Sequence, residues 1–156
     1  MQSLIIDVRN NGGGVVDQVL RIADRLIPRD EVLMISANRI NDNNRRVART
    51  DDSTEMDIVL LINGRSASAS EILAGALKYN NIATIIGETS YGKGLMQEVR
   101  PLRSGGALKI TIQEFKTPNG DPINEIGITP HIEIENERGS DIDAQLNRAI
   151  EYLRNR

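Results

Sequence analysis

Cysteine is missing from all 156 residues, and histidine occurs once, as His131. The first absence excludes a thiol nucleophile and a disulfide framework. The second leaves any histidine-based catalysis to a single side chain. No apolar run approaches the roughly 20 residues that a membrane-spanning helix needs, and no signal-peptide pattern opens the chain. Charge of one sign is not in marked excess either: the net charge is −3, and apart from Arg45, Arg46 and Arg49 the basic residues are scattered. That distribution lacks the basic footprint of a nucleic-acid binder, so nucleic acid is not expected as a partner. What is present is ordinary for a folded domain, with 39% hydrophobic and 26% charged residues. One domain over residues 1–156 is the expectation. Because SLIIDVR at the start already reads as a buried strand, the chain is expected to be part of a longer one.

Hydrophobic spacing alternates between strand and helix periods. Leu4 to Val8 reads as a buried strand. NNGGG then breaks the run, and Val15, Val16, Val19, Leu20, Ala23 and Leu26 recur at helical spacing. EVLMIS at 31–36 predicts a second strand, and the polar stretch from Asn38 to Glu55 a surface excursion or loose hairpin. Ile58 to Ile62 is a further strand, followed by a serine-rich turn and a helix over Glu71–Tyr79 whose apolar face is Ile72, Leu73, Ala76 and Leu77. Ala83 to Ile86 is a short strand ending in GETSYGKG. From Leu95 to Lys116 the alternation of Leu108, Ile110 and Ile112 with polar neighbours predicts β structure. TPNGDP is a turn, and Ile142–Leu153 an amphipathic helix with Leu146, Ala149, Ile150 and Leu153 inward. The order implies a layered α/β domain with an antiparallel β portion late in the chain.

Three turns follow predicted strands: NNGGG at 10–14, GRSASASE at 64–71 and GETSYGKG at 87–94. Ligands of open α/β sheets sit at such strand ends. A serine where a strand enters a helix exposes its hydroxyl at the positive end of the helix dipole, a place suited to a nucleophile. Ser68 and Glu71 also have the S-x-x-E spacing of a capping box, which needs no catalysis to explain it. The serine's base is either His131, which completes a Ser-His-Asp arrangement, or a lysine whose charged form burial disfavours. Lys93 lies between Gly92 and Gly94, where small neighbours let the backbone approach another turn; the bland alternative is a solvated loop lysine. GETSYGK also fits the first seven positions of a phosphate-binding loop. Gly94 then replaces the Ser or Thr that holds magnesium, and a strand rather than a helix follows, so no nucleotide, metal or other cofactor is expected. NNGGG offers successive N–H groups as an anion nest, or is simply a tight turn.

Taken together, RNNGGG (9–14), SASASE (66–71), GETSYGKGLMQ (87–97), TPNG (117–120) and GITPH (127–131) resemble the C-terminal processing, or tail-specific, serine protease family. The resemblance runs from Leu4 to about Ile132. It implies a crotonase-like α/β core, with Ser68 as nucleophile, Lys93 as general base, Gln97 holding the lysine, and a catalytic part for Glu71 in some members. It places an oxyanion hole at the N–H groups of Ala69 and of Gly13 or Gly14. It further implies protein or peptide substrates cleaved near their C-termini, a PDZ domain upstream in the parent chain, and an extracytoplasmic or lumenal setting. The chain departs from the family pattern at Gly12, where the family has proline, and at His131, where it has aspartate. Two other readings compete: a catalytically silent scaffold that binds extended peptides along a sheet edge, and an acyl-CoA binder using the paired N–H groups of the crotonase-like fold.

Overall fold

The computed structural model describes residues 3–53, 55–137 and 139–156. The chain runs β1 (Ser3–Asp7), α1 (Val16–Asp24), β2 (Val32–Ala37), β3 (Asn44–Val47), β4 (Asp57–Ile62), α2 (Ala69–Tyr79), β5 (Ala83–Gly87), β6 (Leu95–Pro101), β7 (Ala107–Lys116), β8 (Ile132–Glu133) and α3 (Ala144–Arg154). Two four-stranded sheets result. One is parallel, in the order β1-β4-β5-β8, and the other antiparallel, in the order β3-β2-β7-β6.

Strand β4 shows why the layers stack as they do. Its IVLLI run is buried throughout, as expected for a central parallel strand covered on both faces. Ile58, Leu60 and Ile62 join the main core with Leu20 and Ala23 of α1, Ile72 and Leu77 of α2, and Leu33 of β2. Val59 and Leu61 point the other way and pack with Ile86, Ala149, Leu146 and Leu153 beneath α3. The three glycine- and serine-rich turns follow the carboxyl ends of β1, β4 and β5, so the parallel register brings them to one edge of the sheet.

The departures from the sequence reading have physical causes. Helix α2 starts at Ala69, is buried from there to Leu77, and lies between the parallel sheet, α1 and β2, so it has no single apolar face. The first part of the polar stretch completes a hairpin: β3 pairs with β2, and the Asn38 side chain closes the turn by accepting from the N–H groups of Ile40 and Asn41. Strand β8 has two residues, too few to show a period. Helix α3 begins at Ala144 rather than Ile142, because Asp143 caps it by accepting from Leu146 N–H at 3.0 Å; Ile142 is left outside and exposed.

That cap is tied to the other end of the sequence. Arg9 reaches from the end of β1 to Asp143 at 2.7 and 2.8 Å, to Gln145 Oε1 at 3.0 Å, and to Asp7 at 2.7 Å. Gln145, almost fully buried, passes its amide hydrogens to Glu88 and the Ile134 carbonyl. Hydrogen bonding by Arg9 holds the Asp143 carboxyl well below the usual carboxylate range. A depressed folded-state value stabilises the fold above the unfolded value of 3.8, and that contribution is lost as pH falls below it. Asp143→Asn keeps a good helix cap but removes the charge. It is expected to melt below wild type at neutral pH, with the gap narrowing below pH 3.8 in thermal scans. A gap independent of pH would refute the role given to the ion pair.

Candidate active site

The three serines of SASASE differ in what their hydroxyls do. Ser66 is completely buried, and its Oγ donates to the Val8 carbonyl at 2.8 Å. Ser70 donates to the Asn11 carbonyl at 3.1 Å. Ser66 thus ties the serine turn to the chain just after β1 and Ser70 ties it to the first glycine turn, where Ala67 N–H adds a bond to Asn11 O at 3.0 Å. Ser68 alone of the three lines an open cleft of about 540 Å³. Its backbone sits at φ 56° and ψ −115°, a sparsely populated region for a residue with a side chain. This is the geometry of a sharp strand-to-helix turn that pushes a side chain outward.

The strained turn is held by its neighbours. The capping box read from S-x-x-E is present, with Ser68 N–H donating to Glu71 Oε2 at 2.7 Å. Gly13, at φ +100°, lies directly against the turn. A Cβ there would stand 2.7 Å from the Ala67 carbonyl, 2.8 Å from Ser68 Cβ and 2.9 Å from Ala69 N. Only glycine admits both that conformation and that approach.

Glu71 is the centre of the arrangement. It is fully buried, and its carboxylate accepts four hydrogen bonds. Oε2 takes the N–H groups of Ser68 (2.7 Å) and Lys93 (2.8 Å), and Oε1 takes Gly92 N–H (2.6 Å) and the Ser90 hydroxyl (2.6 Å). One oxygen therefore bridges the backbones of residues 68 and 93, whose nitrogens lie no farther apart than the sum of those two bonds. No lysine or arginine pairs with this buried charge among the described residues; N–H groups and the N-terminus of α2 compensate it instead. Gly94 follows the expected logic, since a Cβ there would collide with the backbone of Asn124.

The remaining sequence-predicted residues fall as follows. Lys93 and Gln97 line the same cleft as Ser68. Lys93 is exposed, and its ammonium has no hydrogen-bond partner among the described residues. Gln97 stands just past a register irregularity in β6 and donates to Thr111 Oγ1 at 3.4 Å, not to Lys93. Of the oxyanion candidates, Gly13 N–H is taken by Asn11 Oδ1 at 2.9 Å, whereas the N–H groups of Gly14 and Ala69 are unpaired among the described residues. A donor pair of that kind is what a developing oxyanion requires. Gly12 is not in the left-handed region and has open space around its Cβ position, so a side chain there meets no neighbour.

His131 is not part of this cleft. Its ring Nδ1 accepts Ile85 N–H at 2.9 Å, which leaves that nitrogen unprotonated, and its backbone N–H donates to the Ile85 carbonyl at 2.8 Å, so the residue is fixed to β5. Burial, with Lys78 adding to it, pushes its pKa below the ordinary value. It lines a different hollow with Tyr152 and Arg156, so the serine–histidine alternative is not assembled. Among the described residues no cluster of histidine, aspartate and glutamate converges as metal ligands would. Sequence reasoning missed Ser90 and the Arg9–Asp143–Gln145 network; a buried hydroxyl partner carries no periodic signal.

Two substitutions test the arrangement without any assay of activity. Glu71→Gln turns an NH₂ towards two donors, and each orphaned buried donor costs about 1–3 kcal/mol, so urea unfolding is expected to show at least that loss. Gly13→Ala is expected to destabilise the fold as well and to shift the Ser68 and Ala69 amide resonances. Wild-type stability in either variant would contradict the packing described.

The sequence matches the family described as peptidase family S41 over residues 1–134. A carboxy-terminal-processing protease of Bartonella bacilliformis is 43% identical over 136 residues, covering 86% of this chain and 31% of that protein. A chloroplastic C-terminal processing peptidase of Tetradesmus obliquus is 38% identical over 135 residues, covering 86% of this chain and 29% of its own length. A solved photosystem II D1 C-terminal processing protease superimposes with a TM-score of 0.81 at 33% identity, over 95% of this chain and 38% of that one. This chain thus spans under a third of the length of those two curated relatives. Because the profile match takes in all three turns that converge on the cleft, the chain belongs to peptidase family S41, among relatives that are C-terminal processing proteases.

Proposed function

We propose that this chain carries the centre of a serine endopeptidase that cleaves protein substrates near their C-termini, with Ser68 as nucleophile and Lys93 as general base. The observation that supports it best is the single Glu71 oxygen that binds the backbone N–H of both residues, with both side chains lining one cleft. In the proposed reaction the neutral Lys93 amine takes the Ser68 proton as Oγ attacks the peptide carbonyl carbon. The tetrahedral oxyanion is received by the N–H groups of Ala69 and Gly14. Collapse breaks the C–N bond, and the lysine returns the proton to the departing amine. Water, deprotonated by Lys93 in turn, then attacks the acyl ester; the bond to Ser68 Oγ breaks, and the lysine returns that proton to Oγ. Since Lys93 is exposed in the free cleft, a bound peptide is assigned the task of excluding water from it. Gln97 supports the lysine only if its amide leaves Thr111 when substrate binds.

In this reading residues 1–156 are one catalytic core, the natural ligands are proteins or peptides, and an upstream PDZ domain belongs to the parent chain. The proposed setting is extracytoplasmic, in keeping with the chloroplastic relative. The absence of any Lys93–Ser68 hydrogen bond favours a second reading, a silent peptide-binding domain. Labelling by a serine-reactive phosphonate, read by intact mass across pH, separates the two. Wild type is expected to gain one adduct at Ser68 with a rate that rises with pH. Ser68→Ala is expected to gain none, and Lys93→Ala to react about 10²–10⁴-fold more slowly, the usual worth of a general base. A folded wild type that stays unlabelled supports the silent domain.

A further inference from the structure

The proton-transfer scheme leaves unused one buried hydroxyl that touches Glu71. We infer that Ser90 is a positioning residue, which fixes the orientation of the Glu71 carboxylate and through it the turns bearing Ser68 and Lys93. This inference rests on the peptidase reading for its functional consequence, though not for its geometry.

Ser90 is only 6% exposed and does not line the cleft. Its Oγ accepts the Ile128 N–H at 2.7 Å and donates to Glu71 Oε1 at 2.6 Å. A backbone N–H can only donate, so it claims a lone pair of the hydroxyl and leaves the hydroxyl proton for Glu71. The rotor that is free in most serines is therefore set here by Ile128. The main chain reinforces the contact, since Ser90 N–H donates to the Ile128 carbonyl at 3.1 Å and Glu125 N–H to the Gly92 carbonyl at 2.8 Å. Ile128 is itself buried in the main core, 2% exposed, and its Cδ1 lies 3.5 Å from where a Cβ on Gly75 of α2 would stand.

A terminal carboxylate torsion is broad and takes its angle from its partners. Oε2 holds the two catalytic turns and Oε1 holds Gly92 and Ser90. Gly92 gives Oε1 a main-chain N–H, whereas Ser90 gives it a hydroxyl whose direction is set by a second partner. Ser90 is the one side-chain donor on Glu71, and the same hydroxyl oxygen accepts the Ile128 N–H from a segment outside both turns. Without the hydroxyl, Oε1 keeps only the Gly92 N–H to set the carboxylate's angle, and the Ile128 N–H is orphaned in the core.

The experiment compares Ser90→Ala and Ser90→Thr with wild type in three readouts: thermal melting, amide hydrogen exchange at Ser68, Gly92 and Lys93, and phosphonate inactivation split into its binding constant and its maximal rate. Ser90→Ala is expected to speed exchange at Gly92 and Lys93. It should also lower the maximal inactivation rate of the folded protein about tenfold to a hundredfold, the cost of small misplacements at a reacting centre. The binding constant should stay unchanged, and Ser90→Thr, which keeps the hydroxyl, should restore rate and protection. If Ser90→Ala does not fold, Ser90→Cys, near-isosteric and a weak donor, replaces it in the same readouts. Wild-type exchange at Gly92 and Lys93 in the folded variant overturns the inference, as does failure of threonine to restore it. A wild type that is never labelled would sink the peptidase reading instead, and the exchange comparison would still decide the role of Ser90.

Discussion

A buried carboxylate with no cationic partner is expensive unless donors surround it. Glu71 meets that condition with four hydrogen bonds and the N-terminus of its own helix, and most of the site follows from it. The backbone of Ser68 sits in a conformation it would not adopt freely, and the turn after β5 folds back onto α2 because its amides point at the same two oxygens. Glu71 thus works structurally, and its distance from the cleft surface is a requirement of that work: in water, four modest hydrogen bonds would not hold two turns in register.

The parallel sheet makes the cluster reachable. Parallel pairing of β1, β4 and β5 delivers three turns to one edge, and the serine turn is then sewn to the first turn by Ser66, Ser70 and Ala67. The antiparallel sheet supplies the opposite wall of the cleft through residues such as Met34, Gln97 and Phe115. The resulting site is fixed through its backbone and not through its side-chain tips. Glu71 fixes main-chain amides, whereas the side chains of Lys93 and Gln97 reach into the cleft unheld or held by another residue.

Much of this was legible in the sequence, because it depends on period and on turn chemistry. The IVLLI run announced a central strand, the glycine and serine turns announced strand ends, and S-x-x-E announced a cap. Other features have no sequence period to betray them. A two-residue strand such as β8 is below the length at which alternation is visible, and Ile142 fits a helical face although Asp143 starts the helix after it. The split of the three serines into two structural hydroxyls and one facing the cleft depends on carbonyls in a different turn. Spacing suggested that Glu71 caps a helix; it could not tell that the same carboxylate gathers the amides of residues 92 and 93.

The partners of Glu71 lie within 22 positions of it along the chain, whereas Arg9 and Asp143 are separated by 134. Loop-closure entropy rises with the logarithm of that separation, so the two linkages stand at different points of the folding order. The Glu71 cluster belongs to a nearly contiguous stretch that can collapse early, and the clamp on α3 closes a loop spanning most of the domain. Loosening of α3 from the far face of the sheet would then be a sub-global opening that leaves the Glu71 cluster folded. In these terms the Glu71 cluster is a kernel of the fold and α3 its outer layer.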